Sequence, residues 1–276
     1  MADTEHISIV ELGVGDARDG LALSSEAHWN QNEADWRFFL GKGIVFGVRE
    51  NHRLVATTAL LPYSSNNAWI SMVLVTASQR RRGMATRLVD ACLNAATKLG
   101  LTTWLDATPD GAAVYGPLGF TPTIQLRRLR LEKSSPSKTE LHQLPSDCDI
   151  ELLIARDGRA MGFDRSTLLK ELSQRPGSRL VSSGNAVAMV RDGRAARHIG
   201  PLFADAPDRA RALVDTIVRS ETGPLLIDAV GTQAELLQGL TDTGWTTERP
   251  FQRMRFGRAT VQPAELPFAV AGPEYG

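Results

Sequence analysis

From position 69 to 86 the chain reads WISMVLVTASQRRRGMAT, an order of residue types that admits few local structures. Residues 70–75 are mostly apolar and β-branched, as suits a strand covered on both faces. A basic turn follows, and then Met84, Leu88, Cys92, Ala95, Ala96 and Leu99 recur at helical spacing, with Gly100 well suited to the position just past a helix end. Strand, turn and amphipathic helix in direct succession make a βα corner. The first turn of a helix presents N–H groups without intrahelical partners, backed by the positive end of the dipole. Gly83 lets a ligand approach the backbone, Ala85 is nearly as small, and Arg80, Arg81 and Arg82 raise the local potential. The corner therefore reads as an anion site, the alternative being a corner with a solvated basic turn.

At 276 residues the chain exceeds the usual domain of about 100–200 residues, which favours two domains. With 42% hydrophobic and 22% charged residues it can build ordinary cores and is not a disordered chain. Lysine plus arginine equals aspartate plus glutamate at 31 each, so no bulk attraction to nucleic acid or to an anionic membrane is expected. Cys92 and Cys148 show no metal-ligand spacing, and no metal is expected. They suggest no disulfide framework, so a reducing cytoplasm is the expected compartment. The opening MADTEHISIVELG lacks the pattern of a signal peptide, and no apolar run approaches the roughly 18 residues of a membrane span.

Residues 7–12 alternate as a strand and lead into Gly13-Val14-Gly15, where Arg18 stands in place of the third glycine of a dinucleotide loop, so a strand-to-helix turn is expected. Two short helices follow, the second capped by Asn32 with Asp35 three residues on. Trp36, Phe38 and Phe39 are expected in the core, and Trp29 would share a face with Trp36 if the helical phase continued between them. Residues 43–48 and 54–61 read as strands joined by a turn, with a polar loop over 62–67. After the central helix come a strand at 102–107, a short helix at 110–115 and a closing strand at 125–131, whose arginines are expected to be solvated.

Arg80-Arg81-Arg82-Gly83-Met84-Ala85 resembles the Q/R-x-x-G-x-G/A signature of the GNAT acetyltransferases. Its setting strengthens the match: an apolar strand before it, an amphipathic helix after it, and Leu105-Asp106-Ala107-Thr108 through Tyr115-Gly116-Pro117-Leu118-Gly119-Phe120 where that fold needs its next strand and helix. Trp29-Asn30-Gln31 and the following Asp35-Trp36 look like the start of bacterial two-domain GNAT proteins. The second half repeats the first in weakened form. Leu105-Asp106-Ala107 is echoed by Ile227-Asp228-Ala229 at an offset of 122, and Gly119-Phe120 by Gly244-Trp245 at 125. Arg128-Leu129-Arg130 is echoed by Arg253-Met254-Arg255, also at 125. The counterpart of the basic turn, Ala204-Asp205-Ala206-Pro207-Asp208, has no glycine and two acids, and Tyr115 is replaced by Leu240.

The expected architecture is α/β, in tandem GNAT-like domains, each a mixed, mostly antiparallel sheet flanked by helices. Residues 1–132 form the domain with the acetyl-CoA site and 133–149 a linker. Residues 150–260 form a divergent domain without the cofactor turn, and 261–276 an irregular tail. The resemblance implies acetyl-CoA as cosubstrate, its pyrophosphate held by Arg80 and by backbone N–H groups of Arg81, Arg82, Gly83, Met84, Ala85 and Thr86. Its pantetheine would lie along Val73, Leu74 and Val75, with an N–H near Val73 facing the thioester oxygen. Tyr115 stands where many members place the acid for the departing thiolate, packing beside Phe120 being its other reading. Trp29, Asn30, Gln31 and Tyr63 are candidates for the acceptor side. Many members carry a carboxylate base on the central strand, and Ile70-Ser71-Met72 offers none. Asp106 is a weak candidate because Asp228 matches it in the other half, and His28 and Glu26 stay open. The implied activity is acetyl transfer to a small-molecule amine. A protein lysine or N-terminal acceptor and a non-catalytic acyl-CoA-binding regulator are the alternatives, and a homodimer is left open.

Overall fold

The computed structural model describes residues 8–134, 150–258 and 263–276. They group into two compact units, Met1–Pro62 with Asn66–Leu105, and Tyr63–Ser65 with Asp106–Gly276.

The first unit contains β1 (Ile9–Leu12), α1 (Ala17–Glu26), α2 (Glu33–Lys42), β2 (Ile44–Glu50), β3 (Arg53–Tyr63), β4 (Asn67–Val75), α3 (Met84–Lys98) and most of β5 (Thr102–Ala107). Its strands lie in the order β1-β2-β3-β4-β5; β1–β2 and β2–β3 are antiparallel and β4–β5 parallel. The sequence Gly13-Val14-Gly15 is a strand-to-helix turn with one 3-10 turn at Val14–Asp16. Asn32 caps α2 in a full capping box, accepting from the Asp35 N–H at 3.1 Å while Asp35 Oδ2 accepts from the Asn32 N–H at 2.8 Å. Trp36 and Phe39 are fully buried, and the Trp36 indole N–H donates to Ser24 Oγ at 3.0 Å. Trp29 does not continue the phase toward Trp36, because His28 at φ 57° ends the helical run. Asn51 and His52, both at positive φ, make the two-residue turn whose twist matches the β2–β3 hairpin. Val48, Val55, Ala56, Met84 and Leu88 form the core beneath α3, whereas Leu99, expected in the same stripe, is 54% exposed.

The second unit continues with α4 (Pro109–Tyr115), β6 (Thr121–Ser134), α5 (Ile150–Met161), α6 (Ser166–Ser173), β7 (Arg179–Ser183), β8 (Ala186–Arg191), β9 (Arg197–Phe203), α7 (Pro207–Ser220), β10 (Gly223–Val230), α8 (Ala234–Asp242) and β11 (Thr246–Phe256). Its strand order is β11-β6-β10-β9-β8-β7, with β10–β9 parallel and the other neighbours antiparallel. The repeat is visible in the backbone. Tyr115 O accepts from Leu118 N and Phe120 N, and Leu240 O accepts from Thr243 N and Trp245 N in the same pattern 125 positions on.

Two particulars differ from the sequence expectation. β6, placed in the first domain, pairs on one side with β10 and on the other with β11, so compactness divides the chain after Leu105 and not after position 132. A strand groups with the neighbours that satisfy its backbone N–H and C=O groups. The arginines of this strand are also not uniformly solvated, since Arg128 is buried and donates to both carboxylate oxygens of Asp228 at 2.8 and 2.9 Å. Lys133 and Ser134 belong to β6, while the rest of the expected linker, with Cys148, lies outside the described residues. Residues 263–276 contain no helix or strand, yet Phe268, Ala269, Val270, Ala271 and Tyr275 are buried.

Candidate active site

The basic turn lies between β4 and α3. A 3-10 turn at Ala77–Gln79 leads to Arg80, after which Arg81 at φ 62° and Gly83 at φ 77° swing the chain into the helix. Gly83 is the N-cap of α3 and supplies no side-chain acceptor, so the N–H groups that follow it keep their capacity to bind an external anion. The first intrahelical bond runs from Arg87 N to Gly83 O at 3.1 Å. A Cβ on Gly83 would meet no atom within 4 Å, which leaves the helix start open to approach. Arg80, Arg81, Arg82 and Gly83 are all exposed. Backbone conformation, free donors and positive charge thus converge on one point.

Two carboxylates hold this turn in place. Glu26, at the end of α1, accepts from Thr76 Oγ1 at 2.5 Å, from Ala77 N at 2.9 Å and from Arg53 Nη2 at 3.3 Å. The hydrogen bonds from Thr76 and Ala77, with the nearby charges of Arg53 and Arg80, hold its carboxyl below the ordinary glutamate value. Glu50, at the end of β2, accepts from Gln79 Nε2 at 2.5 Å and from Arg82 Nη1 at 3.2 Å, and Arg82 also donates to Gln79 Oε1. Glu26 is tied to the turn by three donors, which suits an anchor better than a base.

β4 carries an irregularity that period-2 reasoning cannot show. Met72 sits at φ 51° in the middle of the strand. The hydroxyl of Thr57 donates to Met72 O at 2.9 Å and that of Thr58 to Ser71 O at 3.5 Å. Two successive carbonyls are therefore drawn toward β3, and trans peptide geometry turns the N–H groups of Met72 and Val73 to the other side. On that side β4 pairs with β5 only at Asn67–Trp69 against Thr102–Trp104, and β4 continues to Val75. Pairing between the two parallel strands ends there. Val73 and Val75 are half-buried, alternating with the buried Met72 and Leu74. The sequence signal for this device is the pair Thr57-Thr58 inside an otherwise apolar strand.

The remaining candidates distribute as follows. Asn30 and Gln31 are buried, Gln31 Oε1 has no partner among the described residues, Trp29 is half-buried and His28 is exposed. Tyr63 belongs to the second unit; its hydroxyl donates to Tyr275 O at 3.0 Å and its ring stacks on Phe163 at 5.6 Å. Burial raises its phenol above the ordinary tyrosine value. Tyr115, also in the second unit, is buried with its ring 6.0 Å from that of Phe120. Its helix-closing role is shared with Leu240, so the feature peculiar to Tyr115 is its hydroxyl. Asp106 accepts from Arg253 through both carboxylate oxygens, at 2.8 and 2.9 Å, as Asp228 does from Arg128. The Gly162-Phe163-Asp164-Arg165 sequence organises its surroundings. Phe163 meets Tyr63, Asp164 N donates to Ser64 Oγ at 2.7 Å, and Arg165 pairs with Asp157 and donates to the backbone oxygens of Tyr275 and Gly276.

Comparison with known proteins finds two matched stretches along the chain. Residues 16–120 match the acetyltransferase (GNAT) family and residues 153–268 an acetyltransferase (GNAT) domain. A relative from Bacillus subtilis (strain 168), the uncharacterized N-acetyltransferase YitH, is 24% identical over 235 residues, covering 82% of this chain and 83% of its own. A Pyrococcus horikoshii crystal structure assigned to the acetyltransferases superposes with a TM-score of 0.78 at 20% identity, covering 99% of this chain and 96% of that one. A tandem GNAT protein from the clavulanic acid biosynthesis pathway gives 0.66 at 14% identity, over 92% of this chain and 100% of its own.

Proposed function

The chain is a two-domain member of the GNAT acetyltransferases, an acyltransferase by class, and we propose that it transfers the acetyl group of acetyl-CoA directly to the amine of a small molecule. The observation that carries this reading is the open helix start at Gly83, preceded by a strand in which the reversed φ at Met72 and the bonds from Thr57 and Thr58 turn the N–H groups of Met72 and Val73 away from β3. A pyrophosphate fits that helix start because it needs free donors, a small residue and positive charge, and all three are present. The residues at 73–75 supply main-chain partners for the amide groups of pantetheine. The Val73 N–H stabilises charge that develops on the thioester oxygen, an effect typically worth about 10²–10³ in rate. Because a thioester is already activated, no covalent intermediate on the protein is required. The chain has to orient the two reactants, accept an amine in its neutral form and return a proton to the departing sulfur. Tyr115 Oη holds that proton. Trp29, Asn30 and Gln31 contact the acceptor, with Gln31 Oε1, which has no partner among the described residues, available to an amine N–H. Glu26 and Glu50 set the position of the turn.

Release of free thiol from acetyl-CoA across a panel of small amines tests the proposal. Amine-dependent release with matching acetylated product is the expected result. Stimulation by peptides carrying lysine or a free N-terminus, and not by small amines, would move the acceptor to protein. Tight CoA binding without turnover would make the chain a sensor.

A further inference from the structure

The repeat supplies two parallel strand pairs of matching extent, and in the second another segment lies between the strands where their pairing ends. β9 and β10 pair in parallel at Arg197–Ile199 against Leu225–Ile227, three residue pairs, as β4 and β5 do. Beyond Ile227 the two strands bond not to each other but to the segment at 268–270. Leu202 N donates to Ala269 O at 2.9 Å and Phe268 N to Leu202 O at 2.9 Å. Across the gap, Val230 N donates to Phe268 O and Val270 N to Asp228 O, both at 3.0 Å. Ala269 is bridged antiparallel to Leu202 on one side and to Ala229 on the other. Phe268 and Ala269 join the core beneath β9 and β10, and Val270 packs with Leu126, Val230 and Phe251. The fit is tight: a Cβ on Gly200 would lie 2.1 Å from Val270 O, so only glycine lets the segment seat. Farther along, Arg191 donates to Ala271 O at 2.8 Å and pairs with Glu274 at 2.9 Å.

We propose that the cleft between β9 and β10 is a peptide-binding groove occupied by the chain's own residues 268–270, and not a second acyl-CoA site. An extended peptide presents alternating N–H and C=O groups to both sides, which satisfies two diverging strands at once, whereas pantetheine carries only two amides. The adjoining helix start agrees. Pro207 lacks an N–H at the first position of α7, and Asp208 follows it. Filling this groove satisfies the backbone of β9 and β10 where their pairing ends and leaves the helix start at Gly83 as the chain's acyl-CoA site. This inference rests on the proposed function only for the placing of acyl-CoA at the Gly83 helix start.

The test uses the full chain, hydrogen exchange at individual amides, and calorimetry with CoA. The amides of Leu202, Val230 and Val270 are expected to stay protected whether or not CoA is saturating, with a stoichiometry near one. Val270→Pro, which removes the donor to Asp228 O, should raise exchange at Leu202 and Val230 at least tenfold while CoA affinity stays within twofold. A synthetic peptide spanning residues 266–275 should restore that protection in Val270→Pro. It should not do so in Gly200→Ala, where the groove itself is blocked. Exchange at Leu202 and Val230 that rises when CoA is added, a stoichiometry of two, or unprotected amides in the parent chain would each overturn the groove. Protected amides in a chain that binds no CoA would leave the groove standing and refute the acyl-CoA assignment at Gly83 instead.

Discussion

Gly83 answers two demands at once, a left-handed backbone at φ 77° and an uncluttered approach to the helix start. Substitutions separate them. Asparagine tolerates the left-handed region but sets a polar side chain over the N–H groups. Gly83→Asn should therefore fold normally by circular dichroism and lose at least about tenfold in CoA affinity, a change of roughly 1.4 kcal/mol. Gly83→Val adds backbone strain and should show no CoA binding by calorimetry. Glu26 makes the opposite kind of prediction, since its carboxylate is spent on Thr76, Ala77 and Arg53. Glu26→Gln should raise KM for acetyl-CoA with kcat nearly unchanged; loss of kcat together with the acidic limb of the pH profile would make it the general base. For Tyr115→Phe the expectation is a kcat lower by at least about tenfold at unaltered CoA affinity, the lower end of what a general acid contributes. A kcat within twofold of the parent would reduce Tyr115 to its packing against Phe120.

At the level of elements, β6, β10 and β9 are joined by a buried chain of polar groups. Asp228 on β10 accepts from Arg128 on β6 and lies 2.8 Å from His198 Nε2 on β9. Burial opposes the charge of Asp228, but Arg128 and His198 outweigh it and hold the carboxyl below the usual aspartate range. His198 is displaced downward by burial first and by the charge of Arg191 second, so it is folded as the neutral imidazole with Nε2–H donating to Asp228. The sign follows from linkage. Below the ordinary histidine value of 6.5 the unfolded chain takes up a proton that the folded chain refuses, and stability falls with pH through that window. Thermal melts between about pH 7.5 and 5.5 should show the decline, and His198→Gln should flatten it. Arg128→Leu strands a buried carboxylate and should cost about 3–5 kcal/mol in chemical denaturation.

For the whole molecule, the pairing of β6 with both β10 and β11 predicts that a chain ending at Lys133 will not behave as a domain. It would retain β6 with two bare edges, and light scattering should report aggregation. No helix among the described residues is long and apolar enough to cross a membrane. The order of elements, the strand–turn–helix corner with Gly83 at the helix start, the capped α2 and the duplication were all legible from residue types, because helix periodicity, cap chemistry and a glycine at a helix start are local. The single acids and arginines of the repeat were legible too, as Asp106, Asp228, Arg128 and Arg253, but not which would meet which. Sequence order placed Arg128 in the domain of Asp106; the fold pairs it with Asp228 and gives Asp106 to Arg253. Nor could residue types reveal the reversed φ at Met72, the anchoring of the turn by Glu26 and Glu50, or the seating of 268–270 between β9 and β10. Each depends on backbone groups far apart in sequence finding one another. Local patterning by itself determined which segments become strands and helices, whereas the unpaired N–H and C=O groups left where two strands part decided, only in three dimensions, what had to lie between them.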